Sequence, residues 1–254
     1  MADLLYNKEF SVHSYELDAE GLARPVSLLN FLQDAAGDHA TQLGWSVLDL
    51  LKRNMTWVLS RYHVRVERYP GWGERIAVLT WPSGRRGYFA LRDFEVSDGD
   101  GRAVAAATTS WMILDLNRKQ PLKVDDILPD NFVVAKRALA DDFAPLPVLD
   151  RADRELSFRV DSSHLDLNRH VNNAVYVQWA LEAALSESGR RRPVDIEVAY
   201  RAEAFLHDPV ISRVQAVPGS GGPEAGPDPE PVFLHQIINA ATGAELTRLR
   251  SRWK

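Results

Sequence analysis

The spacing of apolar residues divides the chain into two similar halves. Residues 25–43 (PVSLLNFLQDAAGDHATQL) set Leu28, Leu29, Phe31, Leu32, Ala35 and Ala36 around most of a helical circumference, with Asn30 and Asp34 on the remainder. A helix apolar over most of its surface is one that the rest of the fold wraps. Strand-like runs follow at 57–68, 74–81, 86–97 and 102–115, separated by the turn signals Pro70-Gly71, Ser83-Gly84 and Asp98-Gly99-Asp100-Gly101. The order then recurs. A helix is predicted over 173–187, its polar stripe confined to Gln178, Glu182 and Ser186, and strands over 194–206, 209–217, 231–240 and 244–253.

Residue matches support a repeat. Arg24 with Arg169, Val26 with Val171, Gln33 with Gln178 and Gly44 with Gly189 all stand 145 apart, and Gly101 with Gly243 and Trp111 with Trp253 stand 142 apart. The pattern predicts an α+β protein made of two copies of one unit, a buried helix followed by an antiparallel sheet. The copies are expected at 1–136 and 156–254, joined by a charged, proline-bearing linker at 137–155. The stretch 218–231 (PGSGGPEAGPDPEP) has nothing to bury and reads as a flexible loop without chemistry.

Composition narrows the function. With 254 residues, 45% hydrophobic and 26% charged, the chain reads as an ordinary soluble globular protein. A net charge of -5 disfavours nucleic-acid partners. The absence of cysteine excludes disulfides, thiolate zinc sites and a cysteine nucleophile. MADLLYNKEF lacks the basic and apolar regions of a secretory signal, and no apolar run is long enough to span a membrane, so a cytoplasmic protein is expected. Seven histidines show no H-E-x-x-H spacing, and His164 with His170 is a weak pair, so no metal or other cofactor is implied.

The candidate chemistry lies in HLDLNRHVNNAVYVQWALE at 164–182. If that segment is extended, Asp166, Asn168 and His170 point one way and Leu165 and Leu167 the other. Asn172 or Asn173 would cap the following helix, whose N-terminus suits a developing oxyanion. Asp166 would fix the tautomer of His170 or orient Asn168. At an offset of 145 the first half has Gly21, Ala23 and Pro25 in these places. On that register the fold does not need the polar trio, which favours function.

These residues resemble the acyl-acyl-carrier-protein thioesterases of plants and bacteria, over nearly the whole chain. The string D-x-N-x-H-V-N-N-x-x-Y-x-x-W is matched by Asp166, Asn168, His170, Val171, Asn172, Asn173, Tyr176 and Trp179, and the first half has SGRRGYFALRDFEV at 83–96 followed by Ser110-Trp111. The resemblance implies a tandem (double) hotdog fold and a further glutamate in a Y-R-x-E-C context. Here that context reads Tyr200-Arg201-Ala202-Glu203-Ala204, with alanine at the cysteine's place. The implied catalytic set is Asp166, Asn168, His170 and Glu203, with water as nucleophile. Glu203 is the favoured base, worth about 10²–10⁴ in rate, while Asn168 and His170 orient water and carbonyl. Strand parity would group Glu203 with Glu197 and Arg201, away from the apolar face of its strand.

The resemblance also implies an acyl carrier protein as partner and an apolar acyl pocket in the first half, against the helix at 25–43 and the strand from Trp57. Arg85, Arg86, Arg190, Arg191 and Arg192 are the basic residues that could receive an acidic carrier. The rival readings are an acyl-CoA thioesterase, a dehydratase on acyl thioesters and a non-catalytic hotdog that binds them. Because a double hotdog supplies its own pairing of units, a monomer and a homodimer are both open.

Overall fold

The computed structural model describes residues 4–217 and 230–254. The loop expected to be flexible therefore falls, at 218–229, outside the described residues. The chain forms two compact units, Met1–Asp142 and Phe143–Lys254.

The first unit contains β1 (Tyr6–Ser11), α1 (Pro25–Gln42), α2 (Val47–Leu51), β2 (Met55–Val66), β3 (Arg75–Arg86), β4 (Phe89–Asp98), β5 (Ala103–Asp115) and β6 (Gln120–Leu122). Its antiparallel sheet runs β1-β3-β4-β5-β2, with β6 on β5. The second unit contains β7 (Arg154–Arg159), α3 (Asn173–Ser188), β8 (Pro193–Tyr200), β9 (Pro209–Val217), β10 (Val232–Asn239) and β11 (Glu245–Trp253). Its sheet runs β7-β9-β10-β11-β8, the same order.

The sequence accounts for the helices directly. Pro25 opens α1, where a missing N–H costs nothing, and Gly44 follows the helix at φ 73°. Asn172 caps α3 by accepting the Ala174 N–H at 2.9 Å, and Gly189 ends it at φ 66°. The polar residues predicted to face outward are exposed: Asn30 and Asp34 on α1, and Gln178, Glu182 and Ser186 on α3. The apolar face of each helix is buried, with Leu28, Leu29, Phe31 and Leu32 on α1, and Tyr176, Val177, Trp179 and Ala180 on α3, while Leu185 near the end of α3 is exposed.

Several elements escaped the hydrophobic pattern. The short edge strands β1 and β7 alternate half-buried with exposed positions, bury no residue fully and carry charged side chains on both faces, and α2 and β6 are too short to show a period. The segment read as a linker is bonded to both units rather than hanging free. Ala138 N–H donates to the buried Asp93 carboxylate at 2.6 Å, and Asp141 meets His63 Nδ1 at 2.7 Å. Further on, Leu146 C=O accepts from Arg248, and Asp150 N–H donates to Gln215.

The strand expected over 194–206 stops at Tyr200. The N–H groups of Arg201 and Ala202 both turn to the Leu246 carbonyl, and 201–208 forms a loop. The parity argument for Glu203 is therefore overturned, because Glu203 is not on a strand.

The register of the two copies also needs correction. β1 and β7 are 148 residues apart at both ends, as are the short 3-10 turns Ser14–Glu16 and Ser162–His164 and the first residues of α1 and α3. The offset falls to 145 at the glycines that end the helices, Gly44 and Gly189, because α3 has 16 residues against 18 in α1 and Leu43 stands between α1 and Gly44 while Gly189 follows α3 directly.

Candidate active site

Asp166, Asn168 and His170 do not lie on an extended segment. Residues 165–171 form a tight turn closed by a bridge between Leu165 and Val171. The Asp166 carboxylate accepts the N–H groups of Asn168 and His170 at 2.8 and 3.2 Å. Its own N–H donates to the His170 carbonyl at 2.8 Å, and Arg169 takes a left-handed φ of 63°. Leu167 is 98% exposed at the tip, so it does not face a core. Alternation along a strand does not apply here; the carboxylate of Asp166 is spent on the backbone of the turn.

At the offset of 148 the counterpart of Asp166 is Asp18, not Gly21. Asp18 accepts the N–H groups of Glu20 and Leu22 at 2.9 and 3.3 Å, Leu17 bridges Ala23, and Gly21 sits at φ 77°. The first copy thus has the aspartate and uses it to make the same turn. The inference that the fold does without the whole trio fails for Asp166. It stands for the other two, whose counterparts are Glu20 and Leu22.

The turn's partner is the loop after β8. Val171 N–H donates to the Ala204 carbonyl at 3.0 Å, which ties the residue after His170 to the residue after Glu203. The side chains of the preceding residues then meet, His170 Nδ1 and Glu203 Oε1 standing 3.1 Å apart. Phe205 lays its ring edge-on to His170, with centroids 5.1 Å apart and planes at 89°. The imidazole is about a third exposed and the carboxylate half exposed, so both can reach a substrate. The loop closes on itself through Phe205 N–H to Asp208 at 2.9 Å and is pinned to β7's end by reciprocal bonds between Val160 and residues 207–208.

Glu203, not Asp166, is thus the carboxylate at His170 Nδ1. Asn168 is exposed on the same turn. Phe205 was not among the sequence candidates; the apolar pair Phe205-Leu206 directly after Glu203 was its only signal. Among the described residues, no group of three or more His, Asp or Glu could hold a metal ion, and no helix is long and apolar enough to cross a membrane.

The arginines expected to face a partner differ among themselves. Arg85 is engaged within its own unit: it donates to the carbonyls of Leu128 and Asp130 at 2.9 and 3.2 Å and is largely buried. Arg86, next along β3, is exposed. Arg190 is exposed, whereas Arg191 and Arg192 are half-buried, with the backbone of Arg192 paired to Lys254.

The family models for the Acyl-ACP thioesterase N-terminal and C-terminal domains match residues 3–132 and 149–254. The chain belongs to the acyl-ACP thioesterase family. It is 32% identical over 268 residues to a chloroplastic palmitoyl-acyl carrier protein thioesterase of Gossypium hirsutum, covering 99% of this chain and 64% of that protein. It is 25% identical to a chloroplastic oleoyl-acyl carrier protein thioesterase of Arabidopsis thaliana, covering 76% of that relative. The chain spans less than two thirds of the length of the first of these. The solved 12:0-ACP thioesterase of Umbellularia californica superposes with a TM-score of 0.86 at 25% identity, covering 100% of this chain and 95% of that one. An acyl-ACP thioesterase from Bacteroides thetaiotaomicron shares the fold, with a TM-score of 0.83 at 23% identity over 98% of both chains. The fold is the double hotdog that the sequence motif implied.

Proposed function

We propose that this acyl-ACP thioesterase family member hydrolyses the thioester between a fatty acyl group and acyl carrier protein, releasing the free acid and the carrier's thiol. The observation that carries the reading is the His170–Glu203 pair, 3.1 Å apart and accessible, on the loops of the domain that matches the family's C-terminal half. In this reading Glu203 takes a proton from water as the water oxygen bonds to the thioester carbon. His170, held at Nδ1 by Glu203, keeps Nε2 for the substrate, and with Asn168 it orients water and carbonyl. Collapse of the tetrahedral intermediate breaks the C–S bond, and the sulfur leaves with that proton. No protein thiol is needed, which fits a chain with alanine at 204. We assign Asp166 to the turn that presents Asn168 and His170. The first unit, with Leu22 in place of the imidazole, is the proposed seat of the acyl chain, against α1 and the part of β2 from Trp57. Arg86 and Arg190 remain the exposed cations suited to an acidic carrier.

Thiol release is measured from one acyl group presented on acyl carrier protein and on coenzyme A at matched concentrations. Faster release from the carrier protein supports the proposal. The opposite preference reassigns the substrate to acyl-CoA, and no thiol from either refutes thioester hydrolysis.

A further inference from the structure

We propose that Tyr176 is a positioning residue for Glu203, acting through the buried N–H of Ala204; this rests on the reading of Glu203 given above. Tyr176 lies in the first turn of α3 and is 2% exposed. Its hydroxyl oxygen accepts the Ala204 N–H at 2.9 Å. Ala204 is fully buried, and its carbonyl accepts the Val171 N–H at 3.0 Å. The residue after Glu203 is therefore held on one side by α3 and on the other by the turn that carries His170. Those two bonds set how far Glu203 stands from the imidazole.

The first copy shows that this bond is not a requirement of the fold. Counting 148 back from Tyr176, the residue on α1 is Leu28, which has no acceptor. The peptide that replaces Ala204 is Pro70, whose carbonyl accepts the Ala23 N–H at 2.8 Å just as Ala204 accepts Val171. Proline has no N–H to satisfy. Donor and acceptor are missing together in the copy that has Leu22 and Tyr69 at the places of His170 and Glu203, and present together in the copy that has the pair. A buried N–H must find a partner, and the second copy finds it on the helix rather than deleting it. The ring of Tyr176 packs edge-on against Trp179 and Tyr200, with centroids 5.7 and 6.1 Å away. Phenylalanine would keep that packing and lose only the oxygen.

The test uses the full chain and acyl-ACP hydrolysis. Tyr176→Phe should lower kcat about tenfold, the size expected from orphaning one buried donor beside the site, with KM nearly unchanged. Tyr176→Phe combined with Ala204→Pro, which copies the Leu28/Pro70 solution, should recover most of that loss. In a Glu203→Gln background Tyr176→Phe should have no further effect. Wild-type kcat in Tyr176→Phe, or an equal loss in the Glu203→Gln background, overturns the proposal. Amide hydrogen exchange at Ala204 decides independently of turnover and of whether the proline variant folds. Tyr176→Phe should speed it at least about tenfold, and unchanged protection refutes the anchor. A wild-type chain that releases no thiol refutes the reaction instead, and the exchange result still judges the anchor.

Discussion

In the first unit the turn at Asp18–Leu22 and the loop at Pro70–Glu74 make the backbone hydrogen bonds that Asp166–His170 and Ala204–Asp208 make in the second. Gly73 N–H bonds to Val12 and Val12 N–H to Glu74, as His207 bonds to Val160 and Val160 to Asp208. Glu74 accepts from Gly71 as Asp208 accepts from Phe205. On this shared frame the first copy hangs Glu20, Leu22 and a buried Tyr69 where the second hangs Asn168, His170 and Glu203. The frame also differs in strain. The two left-handed positions are Gly21 and Gly73 in the first copy but Arg169 and His207 in the second. A side chain at such a φ costs roughly 1–2 kcal/mol, and at these two matched positions only the second copy carries that cost, although Asn54, Lys119 and Phe143 elsewhere are left-handed too. Aspartate at the head of the turn is thus shared by both copies, and Asn168, His170 and Glu203, which differ between them, are the residues proposed for the chemistry.

The largest effects should come from the residues that differ. His170→Leu and Glu203→Gln should each lower turnover by about 10² or more with the fold intact, read as thiol release alongside circular dichroism. Wild-type rates in either variant would remove that residue from the site. Next is a core position where the copies also differ. Counted from the turn-forming Asp98 and Asn239, His235 stands where the first copy has Phe94, and both are buried. Burial pushes His235 down to about 3. The unfolded chain takes up that proton below its ordinary pKa of about 6.5 and the folded chain does not. Stability should therefore fall as pH drops from about 6.5 toward 3, by up to about 1.4 kcal/mol per unit. His235→Phe should flatten that fall in urea melts; an unchanged slope would place the acid sensitivity elsewhere.

Asp18→Ala and Asp166→Ala each orphan two turn N–H groups and should each cost about 1–2 kcal/mol in the same melts, but only Asp166→Ala should also slow turnover. Equal slowing by Asp18→Ala would show that the copies are not separable in this way. The smallest change is expected from Arg169→Gly, which relieves a left-handed side chain and should stabilise by no more than about 1 kcal/mol.

The helices, the long strands and the duplication were legible because each long element carries its own period. The register was not. Arg24 with Arg169 and Gln33 with Gln178 are coincidences of residue type across helices of unequal length, and they hid the equivalence of Asp18 with Asp166. Alternation was applied to Asp166, Asn168 and His170, where turn chemistry governs: the sequence D-x-N-R-H allows an aspartate that caps its own turn as readily as an extended run. Glu203 was found through the resemblance. Its pairing with His170 depends on the Val171–Ala204 bond, a contact between residues far apart in the chain that no local pattern reveals. Arg85 looked like a surface cation because its acceptors, the carbonyls of Leu128 and Asp130, lie more than forty residues away.

Thiol release from acyl-ACP by Asp166→Asn, measured beside Glu203→Gln, tests the division between frame and chemistry most directly. Asparagine keeps the oxygen that accepts the Asn168 and His170 N–H groups and removes only the charge. The account predicts that Asp166→Asn stays within about threefold of the wild-type rate while Glu203→Gln falls by about 10² or more. A loss in Asp166→Asn as deep as that in Glu203→Gln would contradict it, because the negative charge of Asp166 would then act in the reaction and not only in the turn.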